Sequence, residues 1–138
     1  METKDIIDLL ITLLERNFDV HMNIIWATVG FLLAAIGWVI TSREARAFLS
    51  GSETIRVVSI IMLALIAIIH YSLLVKTLLV SMELTAQLTS LVKEPLKGIV
   101  NDNLVYSISQ TALVIRALVT LVLFSLLGFL VFKVDRNT

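Results

Sequence analysis

The sequence predicts an all-α integral membrane protein with three transmembrane helices, and three observations carry that expectation. Hydrophobic residues make up 58% of the 138 and charged residues only 16%, against about 25% charged in a soluble domain. No Asp, Glu, Lys or Arg occurs in residues 20–42 or 57–75, and Arg116 is the sole one from Asn103 to Phe132. Each of these runs suits the roughly 20 residues that carry a helix across about 30 Å of hydrocarbon. Alternation of the kind a barrel strand needs is absent, which leaves helices as the way to satisfy backbone groups in lipid. A chain this small has too little interior to hide so much apolar surface from water.

The remaining composition excludes several functions. With 11 basic and 11 acidic residues the chain is formally neutral and presents no phosphate-binding field for a nucleic acid. It has no cysteine, which removes disulfides, thiolate metal sites and cysteine nucleophiles together. The expected partners are the lipid bilayer and other membrane-protein chains, with no nucleic acid.

An amphipathic helix is predicted over 3–17. Asp5, Asp8, Glu15 and Asp19, with Thr12, recur at steps of three and four as one acidic stripe, and Ile6, Ile7, Leu9, Leu10, Ile11, Leu13 and Leu14 fill most of the remaining circumference. Interfacial helices usually show Lys and Arg to anionic headgroups, so this stripe belongs in water and the apolar face against protein. Span 1 follows over 22–41. Within it Ala27, Gly30, Ala34 and Gly37 share one side, a helix-packing pattern that lets backbones approach closely, within one chain or between chains.

The next segment carries two capping-box spacings, Thr41-Ser-Arg-Glu44 and Ser50-Gly-Ser-Glu53, with Gly51 to permit the turn. Span 2 starts at Glu53, and its periodicity runs on through Leu84, Leu88 and Leu91 to Glu94, where Pro95 ends it. A helix over 53–94 is about 60 Å long, twice the hydrocarbon thickness. Its extension should leave the membrane and receive the N-terminal helix. Span 3 is expected over 103–133, opened by the cap cluster Asn101-Asp102-Asn103. The whole chain, 1–138, reads as one helical domain.

Arg43, Arg46 and Arg56 crowd the first connection, and Lys133 and Arg136 follow span 3. Lys4, Arg16, Lys93 and Lys97 on the other side are diluted by acids. The positive-inside rule then puts the C-terminus in the cytoplasm and the N-terminus outside, in a bacterial-type inner or plasma membrane. No basic n-region or small-residue cleavage site suggests a signal peptide. Trp26, Tyr71 and Tyr106 near one interface, and Trp38 near the other, suit aromatic belts.

Chemistry-bearing residues are few. A charge within a span is a functional candidate by default, and Arg116 shares a face with Ser109, Ala112 and Thr120. Arg116, Lys76, Ser109 and Thr120 therefore form either a set of snorkelling anchors or a polar path. His21 and His70 differ in depth by about 12 Å, too far for two imidazoles at one heme level, and no carboxylate lies within a turn of His70. No cofactor, metal site or catalytic residue is expected, and no enzyme. The expected function is a small non-catalytic assembly or anchoring subunit, or a helix-packing homo-oligomer. The alternative is an oligomeric ion-conducting pore lined by the third helix, in which a ring of Arg116 would favour anions.

Overall fold

A helix that starts at Thr3 runs without interruption to Thr41 in the computed structural model, which describes residues 3–91 and 110–134. We label it α1. The order continues as α2 (Arg43–Ser50), α3 (Glu53–Leu91) and α4 (Gln110–Lys133). The described residues are almost wholly helical, and three of the helices are long and apolar enough to cross a membrane. Pro95, Tyr106, the Asn101–Asn103 cap cluster, Ser109, Lys93, Lys97 and Arg136 lie outside the described residues.

Separate helices over 3–17 and 22–41 are replaced by one of 39 residues. The physical reason is local. Residues 18–21, Phe-Asp-Val-His, contain neither Gly nor Pro, so nothing releases a backbone N–H or clashes with the preceding turn. Asn17 and His21 are also both engaged by α3, which holds this turn helical.

α1 ends where Ser42 takes an extended backbone conformation, φ −87° and ψ 121°. Ser42, rather than Thr41, caps α2: its Oγ accepts from the Ala45 N–H at 3.1 Å and donates to the Glu44 carboxylate at 3.0 Å. The Thr41 hydroxyl instead donates back to Gly37 O at 2.7 Å. At the second spacing Ser50 donates to Ala47 O, and the Arg56 N–H opens α3 by donating to the backbone carbonyl of Ser52. Gly51 lies in the right-handed helical region, φ −64°, so freedom in φ is not what it supplies. A Cβ there would stand 3.2 Å from Ala47 O, closer than most Cβ contacts.

The chain divides into two compact units. One comprises Met1–Ile24 and Ser72–Arg116. Its core is Leu10, Leu14 and Leu88, all buried, with Ile6, Ile7, Ile11, Phe18 and Leu84 packed around them. The other comprises Ile25–Tyr71 and Ala117–Thr138. Its larger core joins Leu32, Ile36 and Val39 of α1, Leu49 of α2, and Phe124, Leu127 and Val131 of α4, with Val134 beyond them. Ile60, Leu63, Ile66 and Ala67 bring α3 against the same cluster.

Candidate functional site: polar contacts and an open helix face

In the first unit, polar residues one turn apart on α1 meet polar residues one turn apart on α3. Asn17 Nδ2 donates to Thr77 O at 2.8 Å and to Ser81 Oγ at 2.7 Å, which uses both hydrogens of the amide. His21 Nδ1 lies 2.7 Å from Thr77 Oγ1. The Thr77 hydroxyl already donates to Leu74 O at 3.0 Å, so it accepts from the imidazole, and the proton sits on Nδ1. His21, Thr77 and Ser81 are all buried. These bonds offset part of the cost of burying such groups in an apolar surrounding, although His21 Nε2 is buried with no hydrogen-bond partner among the described residues.

The same unit carries the acidic stripe and Arg116. Asp5, Asp8, Glu15 and Asp19 are all exposed, and the Thr12 hydroxyl donates to Asp8 O. The Arg116 guanidinium stands 6.0 Å from the centroid of the Phe18 ring, a cation–π contact. Lys76 is exposed.

The second unit has its own polar contacts. Thr28 Oγ1 and His70 Nδ1 are 2.9 Å apart, and His70 packs edge-on to Tyr71 and tilted against Phe124. His70 Nε2 is buried with no hydrogen-bond partner among the described residues. The Tyr71 hydroxyl reaches α4, 3.1 Å from Ala117 O and 3.2 Å from Thr120 Oγ1. The Tyr71 hydroxyl donates to Ala117 O, and Thr120 also donates to that carbonyl. Tyr71 therefore ties α3 to α4, and Thr120, fully buried, is part of that tie. Trp26 and Trp38 both face outward.

The small-residue stripe of span 1 is open. Ala27, Gly30 and Ala34 are exposed and Gly37 is partly so, and a Cβ added at Gly30 or Gly37 would meet nothing within 4 Å among the described residues. Phe31, Leu33 and Trp38 stand exposed beside it. No family model, curated protein or solved structure matches the chain.

Sequence reasoning singled out the stripe but missed Asn17, Thr28, Thr77 and Ser81. Their signal was present: Asn17 with His21 and Thr77 with Ser81 are polar pairs at i,i+4 on otherwise apolar helix faces. Arg46 carries a role that spacing does not show. Its Nη1 donates to Ile40 O and approaches Val39 O, so the side chain caps the last turn of α1. Glu44 accepts from its own backbone N–H and from Ser42, which holds its carboxyl below the usual glutamate range.

Proposed function

We propose that the chain is a non-catalytic polytopic membrane protein that assembles with other membrane chains through the open face of α1. The observation that supports this is the outward-facing series Ala27, Gly30, Ala34 and Gly37, with nothing among the described residues within 4 Å of a Cβ added at either glycine. In lipid, helices associate through close packing rather than a hydrophobic force, and small residues permit that packing. Four successive contact positions reduced to a methyl group or a hydrogen have no use toward lipid tails, and a face of this kind fits a second helix.

In this reading the unit Ile25–Tyr71 with Ala117–Thr138 is the membrane part. Its stretches 25–42, 57–71 and 117–132 carry no Asp, Glu, Lys or Arg, and 18 helical residues cover about 27 Å. The other unit, with its exposed carboxylates, stands in water, where the N-terminal turns of α1 pack on the extension of α3 through Leu10, Leu14 and Leu88. The N-terminus lies outside a bacterial-type inner or plasma membrane and the C-terminus in the cytoplasm.

The test uses the absence of cysteine. A single cysteine at Gly30 or Ala34 should crosslink under oxidation in native membranes to a second copy or to another membrane chain. Cysteines at Leu63 or Leu127, packed inside the chain, should not. Gly30→Leu should abolish the Ala34 crosslink. Failure to crosslink at either stripe position, with the protein monomeric by native mass spectrometry in mild detergent, would overturn the assembly reading.

A further inference from the structure

The corner built by the end of α1, all of α2 and the start of α3 holds arginine in excess of its partners. Ala45 and Leu49 are buried, so α2 lies with one face on the core of its unit. Phe48 is 58% exposed on one flank, and Trp38, a turn before the end of α1, is 55% exposed. Arg43 is exposed on the side of α2 away from the core. Val131 and Val134 share a cluster with Val39 and Leu49, which brings the end of α4, and Lys133, to the same end of the unit. Glu44 and Glu53 are the acids there among the described residues. The Glu44 carboxylate is occupied by its own N–H and by Ser42.

Arg46 is consumed by the carbonyls of α1, but Arg56 is not so served. It is partly buried, and its Nε has no hydrogen-bond partner among the described residues. A guanidinium N–H removed from water without an acceptor is costly, and an anion would remove that cost with charge-assisted bonds. The position selects the anion. Residues 20–42 end and 57–75 begin their charge-free runs on either side of this corner, and exposed Phe48 and Trp38 are side chains of the kind that settle at the acyl–headgroup boundary.

We propose that this corner binds the headgroup phosphate of an anionic phospholipid. Arg56 donates to the phosphate, Arg43 and Lys133 supply attraction, and Phe48 rests in the acyl boundary beside it. The inference rests on the membrane reading of this unit and not on assembly through α1, so it survives if the crosslinks above are absent.

The experiment compares retention of phosphatidylglycerol and phosphatidylcholine by native mass spectrometry of the full chain. Phosphatidylglycerol should be favoured. Arg56→Gln and Arg43→Gln should each cut the preference about fivefold, the factor that corresponds to ~1 kcal/mol for a basic residue near a charged surface. Lys76→Gln, in the other unit, should leave it unchanged. Helical circular dichroism and a monodisperse elution profile would establish that each variant is folded. No preference in the native chain, or a preference untouched in folded Arg56→Gln, would overturn the proposal. So would displacement of the lipid by inorganic phosphate alone, which would make the corner a general anion site. Asp135→Asn guards against an internal answer: a preference that appears only in this variant means that Asp135 already occupies Arg56 in the native chain, and that also overturns it.

Discussion

The unit that joins the first turns of α1 to the last turns of α3 has three buried leucines, and an amide, an imidazole and two hydroxyls that hydrogen-bond across the two helices. The unit built from the rest of α1 and α3 with α2 and most of α4 has a larger apolar cluster with sparser polar contacts, Thr28 to His70 and Tyr71 to Thr120. The difference follows from the solvent proposed for each. Where water is the alternative, three leucines gain by leaving it and carboxylates can line the outer face. Where lipid is the alternative, apolar side chains gain little beyond packing, and a large interlocking surface is needed to hold the helices together.

The largest expected effect separates the two directly. Leu88 and Leu32 are each fully buried, one in each unit. Leu88→Ala should cost about 2–5 kcal/mol, the sum of a transfer and a cavity contribution. Leu32→Ala should cost about half as much, because its unfolded reference is lipid and only the lost packing remains. Reversible unfolding of both variants in mixed micelles would measure this. An equal or greater cost at Leu32 would mean that both clusters face the same solvent.

Next come the polar contacts. Asn17→Leu strips Ser81 of its donor and removes the bond to Thr77 O, and should cost about 1–3 kcal/mol by leaving buried polar atoms unmatched. Tyr71→Phe removes the hydroxyl that joins α3 to α4 and should cost only about 0.6 kcal/mol, the average for a hydrogen bond between helices in lipid. If the order is reversed, the assignment of water to one unit and lipid to the other fails.

Helices long and apolar enough to cross a membrane were legible because the absence of charge over 20–42 and 57–75 is a signal of composition, independent of neighbours. The apolar set that includes Leu10, Leu14 and Leu88 was legible because periodicity alone puts those residues on faces of helices. The unbroken course of α1 through Phe18–His21 was not legible from the change of pattern there. A switch from an amphipathic to an all-apolar pattern does not require a break in the backbone. The contacts of Thr28 with His70 and of Tyr71 with Thr120 were hidden for a different reason. They depend on the register between helices distant in sequence, 42 and 49 residues apart, and no single-helix pattern encodes a register. Arg116 shows the same limit, since its ring partner Phe18 lies on another helix.

That contact gives a smaller effect and tests whether Arg116 is held by the protein or only by headgroups. Arg116→Leu and Phe18→Leu should each lose the cation–π pair, worth about 0.5–1 kcal/mol, and Phe18→Leu loses in addition some packing against Leu10, Leu14 and Leu88. The double variant should cost less than their sum, since each alone already removes the shared contact. Strict additivity would show that the two side chains do not interact. Arg116→Lys should retain part of the coupling, because an ammonium keeps the charge but loses the planar stacking of a guanidinium.

The smallest expected effect concerns pH, and it touches only α2. Glu44 is fully exposed, and its carboxyl is held below the usual range first by its own backbone N–H and then by the Ser42 hydroxyl. Both favour the charged form, so the folded chain binds this proton less readily than the unfolded chain does. The contribution of Glu44 to stability is therefore complete above the ordinary glutamate pKa and disappears as pH falls through the lowered folded value. Exposure and salt screening keep it small. Ser42→Ala should raise the Glu44 pKa part of the way back, because the backbone N–H remains while the hydroxyl is gone, and it also loses the N-cap to Ala45. A carboxyl-detected NMR titration of the native chain and of Ser42→Ala in micelles would read both values. An unchanged Glu44 titration in the Ala variant would mean that the hydroxyl does not hold the carboxylate and that Ser42 serves the helix end alone.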